Sequence, residues 1–113
     1  PAGFDEGASM ALRLVLHRPE WFGGAIAYGC RIPNKQRVLA RYRDLQGKRI
    51  LIGTGSRDRV SPPTSAIHLG RLLHSTGMDV AMRIRRAGHE LPTESLGDIN
   101  QWMMDGIYAA NEA

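Results

Sequence analysis

The chain has 113 residues, of which 42% are hydrophobic and 23% charged, with a formal net charge of +4. That suffices for one globular domain spanning residues 1–113, and no apolar run is long enough to cross a bilayer. The single cysteine, Cys30, excludes an internal disulfide, and the N-terminus lacks the basic-then-apolar layout of a secretory leader, so a cytoplasmic setting is expected. Pro1 in first position reads as a processed or truncated start.

The first predicted element is a helix from Glu6 to His17, with Ala8, Ala11, Leu12, Val15 and Leu16 on its apolar side. Met10 and Leu14 extend that side nearly all round, which predicts a helix buried on every face. Pro19 and Gly23-Gly24 end it, and Ala25-Ile26-Ala27-Tyr28 reads as a short buried strand. Residues 32–48 have weak periodicity and read as loop with one helical turn. Ile50-Leu51-Ile52 is the continuous apolar run of a parallel strand covered on both faces.

Ser61-Pro62 opens a second long helix carrying Ala66, Ile67, Leu69, Leu72 and Leu73, and Gly77 stops it. Residues 79–86 alternate, with Val80, Met82 and Ile84 on one face and Arg83 and Arg85 on the other, the pattern of a strand near a sheet edge. Leu96, Ile99, Met103 and Ile107 form the stripe of a last helix, with Trp102 beside it and Thr93 as N-cap. Helices alternating with strands predict an α/β fold: a parallel sheet of three strands with helices on its faces. Reactive groups in such sheets lie at the carboxyl ends of the strands.

Basic residues concentrate in 31–49 and in Arg83-Ile84-Arg85-Arg86. They are spread through loops and along the wet side of a strand, so nucleic acid is not expected as a partner. Salt-dependent anion binding through 31–49 is the weakest of the readings considered. Cys30 reads as a small core or strand-end residue. His17, His68 and His74 lack metal-ligand spacing, and neither a phosphate loop nor a dinucleotide fingerprint is present, so no metal and no cofactor are expected.

Three short segments carry the chemistry. In Gly3-Phe4-Asp5-Glu6-Gly7 an acidic side chain opens a helix, between small residues two before and two after it. A tight strand-to-helix turn needs that spacing, because side chains at those positions would strike the neighbouring backbone. The helix start also favours negative charge at residue 5. Taken alone, Asp5 is as well explained as a simple N-cap. Asp58 follows the second strand in Gly53-Thr54-Gly55-Ser56-Arg57-Asp58, where acids are commonly turn formers. His89 follows the third strand in Gly88-His89-Glu90, and alone it reads as a solvated loop histidine. The conjunction is what carries weight: each of the three sits at a strand end or helix start.

Small-x-nucleophile-x-small, then an acid, then a histidine is the order of the triad in α/β-hydrolases. The run Gly3-Phe4-Asp5-Glu6-Gly7-Ala8-Ser9-Met10-Ala11-Leu12 resembles the G-F-S-Q-G-G-x-M-A-L signature of their phospholipase/carboxylesterase family. His17-Arg18-Pro19-Glu20-Trp21-Phe22-Gly23-Gly24, the loop from Gly55 through Asp58 to Ser61-Pro62, and Gly88-His89-Glu90 fit the same family. The resemblance covers essentially the whole chain, as the C-terminal half of that fold. It implies cofactor-free hydrolysis of small carboxylic esters, including lysophospholipids and acyl-thioesters. Asp58 would be the triad acid, His89 the general base, and the backbone N–H of Glu6 one oxyanion-hole donor.

Asp5 stands where that family has serine, and the family's other oxyanion donor would lie upstream of Pro1. The resemblance therefore implies an ester hydrolase whose activity is impaired. A second alternative is a working aspartate nucleophile, as in haloalkane dehalogenases and epoxide hydrolases. A third is a non-catalytic interaction domain that pairs through an open sheet edge at the 25–28 strand, with a homodimer or a complementing N-terminal half as partner.

Overall fold

The computed structural model describes residues 2–18, 22–29, 42–60 and 62–112. In chain order these form β1 (Ala2–Phe4), α1 (Glu6–His17), β2 (Gly24–Tyr28), α2 (Tyr42–Leu45), β3 (Arg49–Gly55), α3 (Pro63–Ser75), β4 (Asp79–Arg85) and α4 (Thr93–Glu112). The four strands make one sheet in the order β1-β2-β3-β4, and every neighbouring pair is parallel. Among the described residues no helix is long and apolar enough to cross a membrane.

Ile50, Leu51 and Ile52 are all buried, as a run without alternation requires of a strand covered on both sides. Successive side chains point to opposite faces. Ala25, Ala27, Ile50 and Ile52 join one core with Ala8, Leu12 and Val15 of α1 and Ala66, Leu69 and Leu73 of α3, to which Leu45 of α2 adds its side chain. Ile26, Tyr28 and Leu51 join the other, against Ile99 and Trp102 of α4. Each fully buried leucine or isoleucine contributes about 1.5–3 kcal/mol. The sheet is thus clamped from both faces, which holds the strand ends in register for whatever the loops carry.

Four expectations need correction. A fourth strand, β1, lies beside β2; three residues are too few for periodicity to reveal. Because β1 pairs with β2, the edge of the described sheet falls on β1 and not on residues 25–28. Helix α1 is buried on one side only, with Met10 64% and Leu14 43% exposed. On α4 the buried face runs through Ser95, Ile99 and Trp102, leaving Leu96, Met103 and Ile107 about half exposed. Trp102 packs on that face, held there by Arg49. Its ring takes the Arg49 guanidinium at 4.2 Å from the ring centre, and its carbonyl accepts an Arg49 hydrogen bond at 2.9 Å, so a tryptophan-sized area is covered in place of the narrower aliphatic stripe.

Other boundaries move by one residue. Helix α3 starts at Pro63 after an extended Pro62, and α4 starts at Thr93 itself. Gly77 does end α3, with φ +86° and an N–H donated to the His74 carbonyl at 3.0 Å. The helical turn expected within 32–48 is α2. The remainder of that stretch up to residue 41 lies outside the described residues, as do Cys30, Pro19 and Ser61.

Candidate active site

Strand β1 runs straight into α1 through Asp5 alone. The turn is so tight that a methyl group on Gly3 would run into the carbonyl of Gly7 and the nitrogen of Ala8. Gly7 itself faces open space, so of the two small residues that the pattern singled out only Gly3 is sterically required. Asp5 pivots the turn with φ +56° and ψ −117°, a conformation L-residues rarely hold and which costs about 1–3 kcal/mol. Its N–H is donated to the Tyr28 carbonyl at 2.8 Å, while its own carbonyl accepts from Ala8 and Ser9. The side chain makes no capping bond to the helix. The simple N-cap explanation of Asp5 therefore fails, and its carboxylate is left pointing elsewhere.

It points toward His89. The loops after β3 and β4 are laced together by main-chain bonds: Ser56 N–H to Arg85 O at 2.7 Å and Arg57 N–H to Ala87 O at 2.9 Å. Gly55 permits this approach, since a side chain there would strike the carbonyls of Ala87 and Gly88. Asp58 is 4% exposed. Its Oδ1 accepts the Val60 N–H at 2.9 Å, which aims Oδ2 at Nδ1 of His89, 2.7 Å away. On the far side of the ring, Nε2 lies 3.2 Å from Oδ1 of Asp5. That nitrogen is buried, and its contact with the carboxylate is an ion pair when the ring is protonated. Asp5, Asp58 and His89, scattered through the sequence, meet at the carboxyl end of the sheet.

The electrostatics follow from these contacts. The Asp58 hydrogen bond, opposed by partial burial and helped by the charges of Asp58 and Asp5, raises the His89 pKa above its ordinary value. An imidazole whose Nδ1 proton is held by a carboxylate presents Nε2 to residue 5. With a carboxylate there, the doubly protonated ring is favoured. Glu6 is the first residue of α1, so its backbone N–H is one of the four that a helix cannot satisfy internally.

Two more residues touch the imidazole and were not singled out from the sequence. The Phe4 ring lies 5.1 Å from that of His89, tilted by 35°. Gly29, at φ +65°, passes close beneath both. Phe4 adjoins the elbow and Gly29 follows a strand, which is all the signal the sequence offered. Among the described residues no group of three or more His, Cys, Asp or Glu side chains is arranged to hold a metal ion.

The model of the Phospholipase/Carboxylesterase family matches residues 2–105. The Bacillus subtilis (strain 168) protein MhqD is 25% identical over 105 residues, covering 93% of this chain and 51% of MhqD. Esterase PE8 superposes with a TM-score of 0.79 at 23% identity, over 92% of this chain and 48% of the esterase. Acyl-protein thioesterase 2 of Zea mays does so with a TM-score of 0.80 at 17% identity, over 92% of this chain and 54% of the thioesterase. The chain thus spans about half the length of the relatives it matches. At these identities the structural likeness shows the fold, an α/β-hydrolase sheet in its C-terminal portion.

Proposed function

The chain belongs to the phospholipase/carboxylesterase family, and we propose that its site is built for hydrolysis of a carboxylic ester, with Asp5 curbing that activity. The single observation that carries this is the imidazole held between two carboxylates, 2.7 Å from Asp58 and 3.2 Å from Asp5. Asp58 orients the ring, His89 is the base, position 5 is the nucleophile's place, and the Glu6 N–H is an oxyanion donor. A small ester is the substrate, no cofactor takes part, and residues 1–113 act as one domain in a cytoplasmic setting.

The chemistry explains the curb. A serine at position 5 gives its proton to Nε2 as it attacks the carbonyl. An ionised Asp5 has no proton to give and keeps the ring protonated, so no base is free. Attack by the carboxylate on an ester would form a tetrahedral adduct with two leaving groups. The carboxylate is a far weaker base than an alkoxide, so it departs first and the ester is regenerated. Asp5 thus fails both as proton donor and as acyl acceptor.

A second reading is favoured by the strained, 40% exposed Asp5 side chain beside His89. A carboxylate can displace halide or open an epoxide at a saturated carbon, leaving an alkyl ester on Asp5. Water attacking that ester would need His89 unprotonated.

The test is hydrolysis of p-nitrophenyl butyrate by the protein, by Asp5→Ser, and by Asp5→Ser combined with His89→Ala. The expected result is a rise of at least about 100-fold on Asp5→Ser, abolished by the second change. Equal rates in all three would overturn the ester reading. Halide release from a bromoalkane by the unaltered protein would favour the second.

A further inference from the structure

Gly29 and Phe4 reach His89 from outside the charged contacts. Gly29 follows β2, its N–H is donated to the Gly53 carbonyl at 2.9 Å, and its φ of +65° turns the chain under the imidazole. A methyl group built on it would lie 3.2 Å from Cε1 of His89 and 3.3 Å from Cε2 of Phe4. Those distances are tighter than ordinary van der Waals contact, so a side chain there would press on both rings at once. Phe4 is the last residue of β1, paired in register with Tyr28, and its ring lies beside the imidazole. The strand pairing that places Phe4 also places Gly29, one residue beyond its partner.

We propose that Gly29 and Phe4 are positioning residues for His89: the missing side chain at one and the aromatic face of the other leave the imidazole a single tilt, which keeps Nε2 at residue 5 while Nδ1 stays on Asp58. The ring is held at its own Cβ and at the Nδ1 bond to Asp58, and these two points define an axis about which it can still tilt. That tilt would swing Nε2 away from Asp5, and among the described residues Phe4 and Gly29 lie against the ring beside the Asp5 contact. An aromatic face beside the ring also favours its charged form. The inference rests on reading His89 as the working base only for its consequence in catalysis; the placement of the ring is measured without any substrate.

The experiment is 15N-edited NMR of the His89 side chain, titrated with pH, in the unaltered protein and in Gly29→Ala, Phe4→Leu and Gly47→Ala. Gly47 has φ +78° with nothing within 4 Å of a built methyl group, so its variant carries comparable backbone strain without touching the ring. Gly29→Ala is expected to push the ring from Asp5 and lower the apparent His89 pKa by about half a unit or more, whereas Gly47→Ala leaves it unchanged. Phe4→Leu is expected to lower it by about half a unit. A His89 titration in Gly29→Ala that matches Gly47→Ala would overturn the proposal. Where Gly29→Ala does not fold, as judged by its thermal melt, Phe4→Leu decides: an unshifted titration there overturns it equally. Neither readout involves ester hydrolysis, so failure here is separate from failure of the proposed function.

Discussion

Oδ2 of Asp58 and Nδ1 of His89 lie 2.7 Å apart, a side-chain bond across 31 residues of chain that joins the main-chain bonds already linking the loop after β3 to the loop after β4. The acid is almost fully buried and the imidazole only in part. An unpaired buried carboxylate is costly, so the bond matters to the fold as well as to the site.

The pH dependence of stability follows from it. The His89 pKa is raised in the folded protein, first by the Asp58 hydrogen bond. A raised histidine stabilises fully below its unfolded value, about 6.5. That contribution is lost as pH climbs through the raised folded value. The urea midpoint is therefore expected to fall from about pH 6 upward toward the alkaline side, and Asp58→Asn should flatten the decline. A midpoint that stays level over this range in the unaltered protein would refute the assignment.

Gly3 and Gly7 are predicted to behave oppositely although the sequence presents them as a pair. Gly3→Ala drives a methyl group into the backbone of Gly7 and Ala8 and should cost about 2–3 kcal/mol or more. Gly7→Ala meets nothing within 4 Å on the first turn of α1 and should be neutral or stabilising by up to about 1 kcal/mol. Equilibrium unfolding in urea measures both; equal losses would mean that the elbow is looser than described.

Gly55→Ala should separate the two loops. The added methyl group meets the Ala87 and Gly88 carbonyls, whereas one on Gly88 meets nothing within 4 Å. The expected outcome is a His89 titration that drops back toward its ordinary value in Gly55→Ala and holds in Gly88→Ala. An identical titration in the two variants would show that the Asp58–His89 bond does not depend on this close approach.

Arg49→Lys keeps the charge and discards the guanidinium seated over the Trp102 ring along with its bond to the Trp102 carbonyl. A loss of about 1 kcal/mol is expected by chemical denaturation, together with a change in tryptophan fluorescence in the native state. Unchanged stability would mean that this contact contributes nothing to seating α4.

The element types were legible wherever burial imposes a period. Ile50-Leu51-Ile52 had only one sensible partner environment, and the apolar spacing of 66–73 had only one sensible helix face. Legibility failed where another part of the molecule chooses. Trp102 and the aliphatic stripe competed for the sheet on α4, and Arg49, 53 residues away, settled it. β1 is a strand because β2 lies beside it, not because Ala2-Gly3-Phe4 has any pattern.

The same division runs through the site. From residue order alone came the fold class, because burial on strands restricts which residues can stand there, while the family signature and the candidates Asp5, Asp58 and His89 came from a resemblance. What only the folded chain decided was how those groups face one another: that Asp5 turns its carboxylate to the imidazole and not to its own helix, and that Phe4 and Gly29 border the ring. Distances between side chains depend on how strands align and loops cross, and those are set by contacts between segments that the linear text keeps apart.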